Sequence, residues 1–420
     1  MDLDLVLEGK AFINGEVSNA EIGIADGKIV AVGKVVRGGE KRIDLGTGKI
    51  ILPGFVDPHV HFRDPGMTEK EDFSSGSLSA IHGGVTCVLD MPNTKPPAYS
   101  VSSVQEKKSV IRGKSYTDYG LFAAVTPGCN AALLAPIVAG FKLFMGSTTG
   151  NILLNDDEEI APAMVSIAKT GKRVSVHAED DSLILKEPEK NCRDHLRNRP
   201  VEAEYSALRR LSHYPGTKIN ICHNTSAKSA KFASSFGFTT EVTLHHLLFE
   251  VDKYPGAEYK VNPPIRDQKT RDELFDMFLS NKITMFGSDH APHTVADKAQ
   301  DFDAAPGGIP GVETTMPIIL NLVRKNITTM ALAVRMGATA PAEAFNIKKG
   351  KIAEGYDADL SVFDMHKVSK ISADRLHSKA GHTPYNGWEA VFPDTVLLRG
   401  QIQMRDGEFC GDRLGEDICG

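Results

Sequence analysis

Gly54-Phe-Val-Asp-Pro-His-Val-His-Phe-Arg-Asp-Pro-Gly66 carries a His-x-His pair, His59 and His61, directly after a short apolar run, Ile50 to Val56. Residues two apart in an extended strand point to the same side. Both imidazoles then face one point, as two metal ligands on one strand must. Arg63 continues the same parity and is expected to face the same space. Metal ligands beside a cationic fork point to hydrolysis of an anionic substrate.

Working outward, the middle of the chain alternates apolar runs with helical stretches. After Gly54-Phe-Val-Asp come Thr86–Asp90, Asp118–Val125, Gly140–Met145, Arg173–His177, Lys218–His223, Phe238–Thr243 and Lys282–Asp289, eight candidate strands in all. Phe73–His82, Asp156–Thr170, Glu202–His213 and Lys269–Leu279 lie between them with helical patterning. Eight strand–helix repeats predict a parallel (β/α)8 TIM barrel over 54–350. The two ends have a different texture. Asp26-Gly27 and Asp406-Gly407 are tight-turn signals between alternating runs. Residues 1–53 plus 351–420 are therefore expected to form one composite β-sandwich domain.

Residues with metal or acid–base chemistry sit at the ends of the barrel runs: His59, His61, Asn93, Lys142, His177, His223 and Asp289. All strand C-termini of such a barrel open onto one face, so a scatter in sequence becomes a cluster in space. A lone histidine at a strand end is more often a hydrogen-bonded structural residue than a ligand. Four imidazoles and a carboxylate converging on one face instead suit zinc or a similar divalent ion. Lys142 stands in the apolar run Gly140-Phe-Lys-Leu-Phe-Met, where a buried ammonium is unfavourable. It is read either as a snorkelling or ion-paired lysine or as a lysine carbamate bridging two metals. Asp156, Asp157 and Glu158 are alternative sources of a bridging carboxylate. For Arg63 the plain alternative is a salt bridge to Asp64 or Asp57. His245 and His246 lie off the ligand pattern and are read as structural. The segment 293–308 reads either as a lid over the site or as an ordinary solvated loop.

Composition narrows the class. The chain has 420 residues, 41% hydrophobic and 24% charged, with a formal net charge of −6. That balance argues against a nucleic-acid partner, and no apolar run approaches a membrane span. The acidic start Met-Asp-Leu-Asp lacks the pattern of a signal peptide, and the six cysteines are scattered without a Cys-x-x-Cys pair. They read as reduced thiols of a cytoplasmic protein.

The run His59-Val-His-Phe-Arg-Asp-Pro-Gly66 is followed by Met91-Pro-Asn-Thr94, Val261-Asn-Pro-Pro-Ile-Arg266, Ser288-Asp-His-Ala-Pro-His293 and Pro306-Gly-Gly-Ile-Pro-Gly-Val-Glu313. This series resembles dihydroorotase, of the cyclic amidohydrolase group within the amidohydrolase superfamily. The match spans essentially the whole chain in the same order. His-x-His marks only the superfamily; the arginine after it, Asn-Pro-Pro and Asp-His-Ala-Pro-His are more specific. The resemblance implies two Zn2+ ions, one held by His59 and His61, the other by His177 and His223. A CO2-derived carbamate on Lys142 would bridge them. Asp289 would ligate the first metal and act as general acid and base. Arg63, Asn93 and His293 would grip a substrate carboxylate, with Asn262 and the Gly307–Gly308 backbone holding the ring.

The implied reaction is reversible cyclisation of N-carbamoyl-L-aspartate to L-dihydroorotate in de novo pyrimidine (UMP) biosynthesis, by a zinc-activated bridging hydroxide. Some family members dock onto aspartate transcarbamoylase, which is a candidate partner here. There are departures: His223-Asn-Thr-Ser stands where many relatives show His-Val-Ser, and Val242-Thr-Leu-His-His lacks a proline often found there. Neither removes a proposed ligand. The rivals are an allantoinase or a hydantoinase/dihydropyrimidinase, and a non-catalytic relative. The first two share the metal cluster but act on rings without that carboxylate or place their polar groups differently, and the last usually loses ligands that this chain keeps.

Overall fold

The computed structural model describes residues 2–148 and 152–419. Five strands open the chain: β1 (Leu5–Ile13), β2 (Glu16–Ala25), β3 (Lys28–Gly33), β4 (Lys41–Asp44) and β5 (Lys49–Pro53). The barrel strands follow: β6 (Phe55–Val60), β7 (Val85–Asp90), β8 (Asp118–Ala124), β9 (Gly140–Phe144), β10 (Arg173–His177), β11 (Lys218–Ile221), β12 (Thr239–Val242) and β13 (Met285–Phe286). The chain closes with β14 (Leu360–Asp364), β15 (Ser369–Lys370), β16 (Glu389–Ala390), β17 (Pro393–Leu398), β18 (Gln401–Arg405) and β19 (Glu408–Phe409).

Strands β6 to β13 pair in sequence order as one eight-stranded sheet, all parallel. The His61 amide donates to the His290 carbonyl at 2.8 Å, and Val60 bridges His290 in parallel, so the first strand meets the segment after the last. This is a TIM barrel with an added sheet. Each of the eight predicted runs overlaps one barrel strand, although the last shrinks to two residues. Local chemistry sets the helices between them. Asp72 and Ser75 form a reciprocal capping box at the start of Phe73–His82. In Val201–Leu211 the buried Ala203, Ala207, Leu208 and Leu211 make one apolar stripe facing the barrel.

Both ends of the chain join a single nine-stranded sheet, ordered β19-β18-β17-β14-β5-β1-β2-β3, with β4 beside β1. Asp26 and Gly27 take φ of 50° and 71° at the β2–β3 turn, as that dipeptide favours. The sheet meets the barrel at Gly54, between β5 and β6. A Cβ there would stand 2.2 Å from Thr86 Oγ1, so only glycine lets the two sheets run this close. Lys349 fastens the bottom of the barrel to the added sheet. Its Nζ lies 2.6 Å from Asp118, the first residue of β8, and 2.8 Å from both Asp357 and Asp359. Among the described residues no helix is long and apolar enough to cross a membrane.

Candidate active site

The C-terminal ends of the barrel strands converge on one buried cavity. His59, His61, Arg63, Asn93, Lys142, His177, His223, Asn262, Asp289, Gly307 and Gly308 line it, together with Phe144, Thr148 and Ala291. His293 stands behind Arg63, its Nε2 3.4 Å from the guanidinium and 3.2 Å from the Gly307 carbonyl. Sequence positions from 59 to 308 are thus one site, because strand ends share a face.

Three of the four imidazoles have one nitrogen fixed as a donor. His59 Nδ1 lies 2.7 Å from Glu241 Oε1, and His177 Nε2 lies 2.8 Å from Glu179 Oε2. A carboxylate only accepts, so these nitrogens donate, and the other nitrogen of each ring faces the cavity. His61 Nδ1 is bonded to Asn93 Oδ1 at 2.6 Å. Asn93, expected to grip substrate, thus has His61 as one partner. Across the cavity, Asp289 Oδ1 is 3.3 Å from His59 Nε2 and 3.1 Å from His61 Nε2. His177 Nδ1 and His223 Nε2 are 3.2 Å apart, while His223 Nδ1 has no hydrogen-bond partner.

These separations fit metal binding. Two donor atoms each about 2.0–2.1 Å from one tetrahedral zinc stand roughly 3.3 Å apart. The charges agree. Burial and the Lys142 ammonium oppose protonation of His59, yet Glu241 and Asp289 outweigh them and push its pKa up to about 10. Two carboxylates facing this ring favour a cation beside it, and a metal ion bound there would take the place of the proton on its Nε2. Burial holds His61 neutral, down to about 3, and holds His223 well below the usual imidazole range. Neutral imidazoles are the ligand form. Asp289 stays ionised despite burial because His59 and His61 face it.

Lys142 is the exception in this electrostatic plan. It is 1% exposed, its Nζ 3.5 Å from His59 Nε2 and 3.1 Å from Cys222 Sγ. Among the described residues no carboxylate forms a salt bridge with it, so the ion-paired alternative does not hold. Asp156, Asp157 and Glu158 are exposed, and Asp156 caps the helix Asp157–Ala168 instead of reaching the cavity.

Arg63 faces the cavity for a different reason from the one strand parity predicts. Strand β6 ends at Val60, and Arg63 lies beyond it with φ of 60°. His223 and Asp289 also have positive φ, 38° and 46°. Such backbone is disfavoured for residues with a Cβ and gathers at functional sites. The expected alternative partners of Arg63 are engaged elsewhere. Asp64 pairs with Lys114 at 2.9 Å, and Asp57 accepts from the amides of His59 and Ser288, both at 3.1 Å. Arg63 Nε has no hydrogen-bond partner, and among the described residues its guanidinium has no salt bridge.

His246 bonds Thr243 Oγ1 at 2.7 Å and the Pro263 carbonyl at 2.9 Å, as a structural residue does. His245 is buried too, but its Nε2 has no partner. The 293–308 segment is fastened from below. Lys298 Nζ donates to the Pro306 carbonyl at 2.9 Å, and Lys260 Nζ donates to that of Phe302 at 2.8 Å. Sequence reasoning missed Glu241, Glu179 and Cys222. The available signals were a glutamate inside the β12 run and another two residues after His177.

The sequence model of the amidohydrolase family matches residues 50–402. The dihydroorotase of Thermoplasma volcanium is 37% identical, over 99% of this chain and 98% of that protein. The dihydroorotase of Thermoplasma acidophilum is 38% identical over the same shares, 99% and 98%. Among solved structures, the L-hydantoinase (dihydropyrimidinase) from Arthrobacter aurescens matches with a TM-score of 0.92 at 26% identity, covering 99% of each chain.

Proposed function

The chain belongs to the amidohydrolase family, and from that premise we propose that it is a dihydroorotase, a cyclic amidohydrolase interconverting N-carbamoyl-L-aspartate and L-dihydroorotate in pyrimidine biosynthesis. The observation that carries the substrate assignment is Arg63: a buried guanidinium without a carboxylate partner, opening onto the cavity that holds the histidine cluster. A buried guanidinium that no carboxylate pairs, its Nε without any partner, is a receptor for a carboxylate. The hydantoinase-like structures share the fold, but a ring without a carboxylate would leave this cation unpaired.

The residues present suit a divalent metal pair. In our reading His59, His61 and Asp289 would hold one zinc and His177 and His223 the second, with Lys142, as a carbamate, a further ligand to the pair. Once deprotonated, the Lys142 amine would take up CO2 and release a further proton, leaving an anion among metal ligands in place of a buried ammonium without a carboxylate partner. A metal pair bound there lowers the pKa of water to near neutrality and polarises an amide carbonyl.

The chain's own groups do the rest. Arg63, backed by His293, fixes the substrate carboxylate, with Asn93 beside it. Asn262 and the Gly307–Gly308 backbone hold the ring. Asp289 is the general base in ring opening and returns the proton to the leaving nitrogen; cyclisation runs these transfers in reverse. The six cysteines are free thiols, which supports a cytoplasmic enzyme. Association with aspartate transcarbamoylase belongs to the same reading and is checked by co-purification.

The test is turnover of L-dihydroorotate beside dihydrouracil, hydantoin and allantoin, with protein prepared in zinc and bicarbonate. Selective opening of L-dihydroorotate is expected. Preference for an uncharged ring would keep the metal chemistry and overturn the substrate assignment.

A further inference from the structure

Asn262 and Gly307 line the cavity together, and the Asn262 amide is not free to turn. His195 Nε2 lies 3.0 Å from the Val261 carbonyl oxygen and 2.9 Å from Asn262 Oδ1. A carbonyl oxygen only accepts, so Nε2 carries a proton. The atom of Asn262 that faces it is therefore the oxygen. The amide lies across Gly307 with Nδ2 its nearest atom, 3.1 Å from where a Cβ on that glycine would stand, against 3.4 Å for Oδ1.

His195 is itself held from behind. Its Nδ1 lies 2.8 Å from Glu189 Oε1, and that carboxylate also accepts from Asn198 Nδ2 at 3.0 Å and pairs with Lys260 at 3.1 Å. The ring packs edge-on against Phe302, with centroids 6.2 Å apart. These contacts leave the imidazole one orientation.

We infer that His195 is a positioning residue, which locks Asn262 so that this wall of the pocket presents a hydrogen-bond donor. The wall then recognises a carbonyl oxygen of the substrate ring and discriminates against a ring N–H at the same place. The inference rests on the reading of Asn262 as a substrate contact. With its oxygen released, Asn262 would present donor and acceptor ends in turn, and ground-state binding would weaken more than the chemical step.

Steady-state ring opening of L-dihydroorotate by the zinc-loaded enzyme tests this, using His195→Ala, His195→Gln, Asn262→Ala and the His195→Ala/Asn262→Ala double variant. Loss of one fixed hydrogen bond raises KM by about tenfold for His195→Ala, with kcat within about threefold of the parent. His195→Gln, which still donates, recovers most of the loss, and the double variant is no worse than Asn262→Ala alone. His195→Phe keeps the ring volume beside Phe302 but cannot donate, and serves if the alanine variant is unstable. Parental KM in the non-donating variants, or effects that multiply in the double variant, overturn the inference while leaving Asn262 a substrate contact. If Asn262→Ala itself keeps the parental KM, the placement of Asn262 falls and the inference with it.

Discussion

Replacing Arg63 with methionine is expected to make the protein more stable and nearly inactive at once. Burial, only partly offset by Asp289 and Asp90, lowers the Arg63 pKa from 12.5 to about 10. The folded-state value lies below the unfolded one, so the penalty on folding is complete at every pH below about 10 and vanishes only above the unfolded value. At about 1.4 kcal/mol per pH unit, that charge makes folding about 3 kcal/mol less favourable at neutral pH. Methionine fills a similar volume without the charge. An unfolding entropy of about 2.1 cal/mol/K per residue gives about 0.9 kcal/mol/K for 420 residues, so Tm should rise by about 3 °C. Losing a buried carboxylate contact costs about 2–5 kcal/mol of binding, roughly 30-fold to several thousand-fold in kcat/KM. Calorimetry at one scan rate and kcat/KM for L-dihydroorotate read the two effects. A variant that melts below the parent would show that the guanidinium is a structural partner. One that keeps kcat/KM within about threefold would refute the carboxylate grip.

Lys142→Ala should lose zinc and at least about a thousandfold in kcat/KM, with partial recovery in propionate, whose carboxylate can occupy the vacated space. Full zinc content in that variant would exclude the bridging carbamate. Lys349→Met leaves Asp118, Asp357 and Asp359 facing one another, at a cost of about 3–5 kcal/mol, so Tm should fall by about 3–6 °C. A change under about 1 °C would show that the cluster does not fasten the sheet to the barrel. His82 stacks on His377 with centroids 3.6 Å apart, and burial, with His377 adding, lowers its pKa from 6.5 to about 3. The unfolded chain therefore takes up a proton first, and stability present above pH ~6.5 is lost as pH falls. Between pH 7 and pH 5 the parent should lose about 2 kcal/mol more than His82→Phe in urea titrations, and equal losses would contradict the buried neutral state.

Much of the candidate site was legible because its signals are local. The alternation of strand and helix is written in short windows, so each of the eight apolar runs could be found without its neighbours. His59, His61, His177, His223 and Asp289 were identifiable because each stands at or just past the end of such a run, and Lys142 because it stands as a lone charge inside one; a parallel barrel sends every strand end to one face. The motif series named the chemistry more narrowly than periodicity could.

What the tertiary structure decided depends on register and on backbone direction over long separations. Glu241 lies 182 residues from the His59 ring it orients, and no local pattern predicts that pairing. The texture of the two ends led to the expectation of one composite β domain, but the pairing of β5 with β14 across some 300 residues, and its register, are properties of the folded chain. Arg63 was expected at the site by strand parity, but it arrives past the strand end, through a left-handed residue. Parity holds only while a strand continues, and where a strand stops is set by what packs against it. The same holds for Asn262, whose donor end is selected by an imidazole 67 residues away. Residue types and their order on the strands were the contribution of the sequence alone; which atom of each faces the cavity was settled by packing, because only packing removes the remaining rotamers.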